Sequence, residues 1–122
     1  MRAKFDISVN VERSLVRMTM SGSFSSEDIA QFVIARDEVH HMLQCRPNQH
    51  LTLVDIREMD IQAQDSVVAF QHILADPSKA SKRLAFVVAR SLARMQIQRA
   101  ADSRDASYFS EVDEAEHWLL NG

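Results

Sequence analysis

Polar and apolar positions change their period in a fixed order along this chain of 122 residues. Phe5, Ile7, Val9 and Val11 alternate with Lys4, Asp6, Ser8 and Asn10, the period-two signature of a half-buried strand. Leu15 to Met20 reads as its hairpin partner across Glu12-Arg13-Ser14, which is short enough for a hairpin turn. Ser21-Gly22-Ser23 breaks the strand. Ser25 or Ser26 then caps a first helix, with Glu27 and Asp28 placed to favour its N-terminal dipole. The pattern predicts that this helix runs to about Cys45. Ile29, Phe32, Val33, Val39 and Leu43 form its core stripe, while Ile34 and Met42 fall outside it.

Two short apolar runs, Leu51 to Asp55 and Leu84 to Val88, read as strands covered on both faces. Between them, Ala63, Val67, Phe70 and Leu74, with Ile73 beside them, give a narrow helical packing face that ends at Asp76-Pro77. Residues from about Ser91 to Ala101 follow as a helix, with Leu92 and Met95 on one side and Ala93, Ile97 and Ala100 on another. Ala106 to Phe109 is a short last strand. Ser110 with Asp113 resembles a capping arrangement for a final helix carrying Val112, Ala115, Trp118 and Leu119. The order ββαβαβαβα predicts an α/β fold: a small mixed sheet of four to five strands with an antiparallel first pair, packed by about four helices, in a single domain over residues 1–122. Ligands of open α/β sheets gather outside the carboxyl ends of the strands, which directs attention to Asp55–Gln62 and Ala89–Arg94.

Composition narrows the class. Hydrophobic residues make up 46% and charged residues 25%, as in ordinary globular chains. No apolar run approaches the roughly 20 residues that cross a bilayer. The single Cys45 has no partner for an internal disulfide or a thiolate metal site, which fits a reduced cytoplasm. A net charge of -3 argues against a nucleic-acid-binding surface.

Candidate chemistry is sparse. His40 and His41 are adjacent on a helix, where neighbouring side chains diverge by roughly 100°, so they are poorly placed to ligate one metal. His50, His72 and His117 show no metal-ligand spacing. With Gly22 and Gly122 as the only glycines there is no phosphate-cradling loop, and no strained nucleophile elbow accompanies Cys45 or a serine. Neither a metal nor a cofactor is expected. Asp55, Arg57, Glu58 and Asp60 follow the central strand, where carboxylates more often cap helices or face solvent than act as an acid–base pair. Arg90 and Arg94, one helical turn apart with Ile97 near the same side, suggest a basic rim around an exposed apolar spot that could meet an acidic partner or an anionic headgroup. Arg99 and Arg104 enlarge that basic region, and Asp102 and Asp105 dilute it.

The element order, the strand-ending Leu53-Val54-Asp55, the helix lead-in Gly22-Ser23-Phe24-Ser25-Ser26-Glu27-Asp28 and the closing Tyr108-Phe109-Ser110, Ala115 and Trp118-Leu119 together resemble the STAS superfamily. The likeness is closest to bacterial STAS-like proteins related to anti-sigma-factor antagonists. The resemblance spans nearly the whole chain and implies a small mixed sheet with helices against it. Phosphoregulated members carry an Asp-Ser-Ser-Gly-like turn after the central strand. Here Met59-Asp60-Ile61-Gln62-Ala63 keeps the Asp alone, Ser66 is one turn too far along, and the phosphoswitch does not transfer. The resemblance leaves Asp60 as a cap of the second helix and shaper of a recognition loop.

The expected function is therefore a non-enzymatic, cytoplasmic STAS-like regulatory or protein-interaction domain. It would present Asp55, Arg57, Asp60, Gln62, Arg90 and Arg94 to another protein. Self-association is suggested by Ile34, Val68 and Ile97, which lie off the main apolar stripes. The alternative is a binder of an apolar ligand or lipid with an anionic headgroup. It would use the same end of the sheet and a groove kept shallow by the chain's size.

Overall fold

The computed structural model describes residues 1–89, 92–102 and 104–121. The elements run β1(Lys4–Asn10), β2(Leu15–Gly22), α1(Ser26–His40), β3(Leu51–Met59), α2(Gln64–Ala75), β4(Arg83–Val87), α3(Leu92–Ala100), β5(Ala106–Phe109) and α4(Val112–Asn121). They form one five-stranded sheet in the order β1-β2-β3-β4-β5. The first pair is antiparallel, and β2 to β5 run parallel to one another. The expected mixed α/β sheet with four helices is the observed fold.

Strand order decides where the helices go. Each new parallel strand is added on the same side of the last, and right-handed crossovers then place every connecting helix on one face. Ile29, Phe32 and Val39 of α1, Val67 and Phe70 of α2, and Ile97 and Ala100 of α3 accordingly share a core with Val16, Met18, Val54, Ile56, Leu84 and Phe86. The opposite face of the central strands, Leu15, Leu53, Ala85 and Val87, is covered by Ala115 and Leu119 of α4. That two-sided burial explains the unbroken apolar runs of β3 and β4. At the β1 edge, by contrast, alternate residues are exposed, as the period-two pattern predicts.

Local chemistry fixes the helix ends. Ser25 caps α1 in a reciprocal arrangement: its hydroxyl accepts from the Asp28 N–H, and the Asp28 carboxylate accepts from the Ser25 N–H. The expected continuation to Cys45 does not occur, because the chain turns at His41 through Met42 N–H to Val39 and Leu43 N–H to His40. Pro47 disfavours helix just before it. Asn48, in the left-handed region at φ 65°, then ties the α1–β3 connector to the next crossover by donating to the Pro77 and Ala80 carbonyls at 2.9 and 2.7 Å.

Three further expectations are corrected. β3 extends through Met59, so Asp55, Arg57 and Glu58 stand on a strand and not in a loop. Asp60 does not cap α2, whose N-cap is Ala63 without a side-chain bond. Ile97 is only 9% exposed, because α3 turns its Ile97–Ala100–Ala101 side inward and leaves Met95 outside. Ile97 therefore offers no surface for self-association, whereas Ile34, at 61% exposure, does stand off the core.

Gly22 is the tightest backbone site. It ends β2 at φ 79°, and a Cβ there would come within 2.3 Å of the Arg2 carbonyl oxygen. The left-handed conformation alone costs an L-residue about 1–2 kcal/mol, and backbone offers little room to yield. Gly22→Ala is expected to lower the unfolding free energy measured in urea by at least that much, and an unchanged value would show that this junction relaxes freely.

Candidate functional site

The carboxyl end of the sheet is closed by side-chain amides. The Gln62 amide oxygen accepts from the Phe24 N–H at 2.8 Å, and its nitrogen donates to the Gly22 and Asp60 carbonyls at 2.9 and 2.6 Å. Gln96 of α3 completes the clip, accepting from the Gln62 N–H at 2.7 Å and donating to the Gln62 carbonyl at 2.9 Å. The Ser66 hydroxyl, also buried, donates to the Phe24 carbonyl at 2.5 Å. The void beneath this clip measures about 20 Å³, room for a single water. The strand order also never reverses here, so the crevice that a topological switch point opens at strand carboxyl ends does not form.

The residues expected to act together are thereby separated. Asp55 and Arg57 project from the α4 face of β3, where Arg57 donates to the Asp55 carboxylate at 3.0 and 2.8 Å. Partial burial tends to raise the Asp55 pKa, but the hydrogen bonds and charge of Arg57 outweigh it and hold the carboxyl below its ordinary value. Asp60 accepts from the Ser23 hydroxyl at 3.2 Å and faces the Met1 amine at 3.2 Å. Gln62, 8% exposed, is committed inward and presents no side chain to a partner. Arg94 is half-buried on α3, its charge opposing the rise that burial imposes on the Tyr108 hydroxyl. Arg90 lies outside the described residues.

A larger space opens at the other end. Beneath α1 and α2, a cavity of about 90 Å³ reaches into the sheet face. Its floor and walls are apolar, built by Met18, Val54, Ile56, Phe70, Ile73 and Phe86 among others. Its polar rim comes from Arg36 and His40 at the end of α1, Lys79 and Ser81 ahead of β4, and Arg104 ahead of β5. That rim lies at the amino ends of the parallel strands, opposite the end that the sequence directs attention to. No stretch of sequence brings these residues together; the ends of two crossovers and one helix do.

Electrostatics at the mouth are lopsided. Arg36, only 8% exposed, donates to Asp37 at 3.0 Å, and Lys79 approaches the same carboxylate at 3.6 Å. The Arg104 guanidinium donates to the Ser81 carbonyl at 3.0 Å and hydroxyl at 3.3 Å. The rings of His40 and His50 lie 4.7 Å apart. Desolvation, then the charges of His50, Arg36 and Lys79, push His40 down to about 4, with Asp37 partly opposing. His50 is lowered by burial and by Arg104 and Arg36, and its buried Nε2 has no hydrogen-bond partner among the described residues. Both imidazoles are therefore neutral near pH 7. Among the described residues, no cluster of His, Cys, Asp and Glu has a metal-binding arrangement.

No family model matches the chain, and no curated protein matches it by sequence. Among solved structures it is similar to an uncharacterized protein from the DUF3478 family with a SpoIIAA-like fold from Shewanella loihica PV-4. The two share 18% identity over 96% of this chain and 93% of that one, at a TM-score of 0.71. The fold is thus SpoIIAA-like, that is STAS-like, as the element order and motifs suggest. At that identity the likeness speaks for architecture alone. Among the described residues, no helix is long and apolar enough to cross a membrane.

The neutral histidines make stability depend on pH. His40 titrates at about 4 in the folded chain against 6.5 in an unperturbed one, so between these values the unfolded state binds more protons. Stability from this group is therefore present above the higher value and is lost as pH falls toward the lower. Urea midpoints are expected to decline from neutral pH to about pH 5, and His40→Phe, which cannot take up the proton, should flatten the decline. An unchanged slope in the variant would show that His40 titrates normally.

Proposed function

We propose that this chain is a non-enzymatic STAS-like regulatory domain that binds an apolar ligand with an anionic headgroup in the cavity beneath α1 and α2. The observation that carries this reading is the combination of an apolar interior with a cationic rim, the arrangement that suits an amphipathic anion. The groups at the rim are suited to holding charge. Arg36, Lys79 and Arg104 bring cations to it, and the two imidazoles are held neutral. The cavity also has a precedent in size, being more than half the roughly 150 Å³ of an engineered apolar cavity that holds a benzene. Unlike Arg94, which does not line the cavity, these cations have the apolar volume next to them.

A second reading, docking to another protein or to a second copy, is favoured by Ile34 and Val68, which stand exposed at 61% and 39% on neighbouring helices. The two readings are compatible if ligand occupancy alters the α1–α2 surface.

Native mass spectrometry of gently purified protein distinguishes them. A monomer carrying a small adduct that is released on collisional activation is the expected result. Ala80→Trp, which places a large ring at the half-buried rim position of the connector ahead of β4, should abolish the adduct while leaving the far-ultraviolet circular dichroism unchanged. A bare dimer, or an adduct indifferent to Ala80→Trp, would favour the docking reading.

A further inference from the structure

Charge and volume at the cavity narrow the class of its occupant. At the rim stand Arg36, Lys79 and Arg104, and Asp37 and Asp76 lie close enough to feel the charges of Arg36 and Lys79. These five groups, with His40 and His50 neutral, balance to one positive charge. Arg36 is already engaged by Asp37, whereas Arg104 bonds only to the uncharged Ser81 oxygens among its recorded partners. An arriving anion can exchange these neutral acceptors for a charge-assisted pair. A monoanion balances that surplus, while a dianion would leave a desolvated negative charge at an apolar opening.

The apolar part limits the tail. The cavity's space of about 90 Å³ is more than half the roughly 150 Å³ that holds a benzene, enough for a few methylenes of one tail. Two acyl chains do not fit side by side. We propose, resting on the ligand-binding reading above, that the cavity selects a single-chain aliphatic carboxylate, its headgroup between Arg104 and Lys79 and its first methylenes against Val54, Phe70 and Ile73.

Isothermal titration of the whole chain at neutral pH tests this with butyrate, hexanoate, octanoate, decanoate, decanol and decyl phosphate as probes. Affinity is expected to rise by about fourfold per methylene over the shortest acids and then to flatten, because burial of each methylene is worth that factor only while the cavity has room. Decanoate should bind about tenfold more tightly than decanol, the order of one charge-assisted hydrogen bond. Lys79→Gln and Arg104→Gln should each erase most of that difference without weakening decanol. Decanol equal to decanoate, or decyl phosphate tighter than decanoate, would overturn the carboxylate assignment while leaving an apolar-ligand site in place. Failure of every probe to bind, in protein whose circular dichroism is normal and whose native mass spectrum is free of adduct, would overturn both readings.

Discussion

Burial of β3 and β4 on both faces is the constraint from which the rest of the molecule follows. Leu84, Phe86 and Val54 need cover on one side, and Leu53, Ala85 and Val87 need it on the other. Because the strands are laid down in one direction, the crossovers can supply cover on only one side, and the final helix must supply the other. α4 meets that need with little more than Ala115 and Leu119 at its centre, seated close against the small Ala85. Ion pairing of Arg17 with Glu116, and Arg83 5.6 Å from the Trp118 ring, fasten its flanks.

The two ends of the sheet differ because polar groups are used differently there. At the carboxyl end, Gln62 and Gln96 satisfy each other and the backbone and Ser66 bonds the Phe24 carbonyl, so the β2–α1 and β3–α2 connectors, α2 and α3 are drawn together and almost no space remains. At the amino end the polar groups are bulky and like-charged. Arg36 and Lys79 turn to Asp37, Arg104 turns to the Ser81 oxygens, and the apolar layer behind them stays open. A cavity under a cationic rim thus persists at this end, in a fold whose other end is sealed by complementary hydrogen bonds.

Much of this architecture was legible in the residues. The alternation around Phe5, the both-sided runs at Leu51 and Leu84, and the Ser25–Asp28 cap led directly to β1, β3, β4 and α1. The exit of α1 was less so, since the connector after it is held by Asn48 to the distant Pro77 and Ala80 carbonyls and by the tilted contact of His40 with His50. The site was hidden for the same reason: Arg36, Lys79, Ser81 and Arg104 belong to three different connections. One local signal did point to it. Arg36 occupies the position four residues after Phe32, on the buried stripe of α1, where an aliphatic residue would ordinarily complete the pattern. A guanidinium held on a core stripe marks a place where the interior must accommodate charge. The attention given to Asp55–Gln62 came from a rule about sheets whose strand order reverses, and this sheet has no reversal.

The isoleucines offer the most direct test of the central claim, that recognition occurs in the cavity and not at the carboxyl end. Ile56, Ile73 and Ile97 line it, while Ile34 and Ile61 are exposed elsewhere. In methyl spectra of isoleucine-labelled protein titrated with decanoate, the resonances of Ile56, Ile73 and Ile97 should shift and those of Ile34 and Ile61 should stay in place. Shifts confined to Ile34 or Ile61, with the cavity methyls unmoved at saturation, would contradict the account.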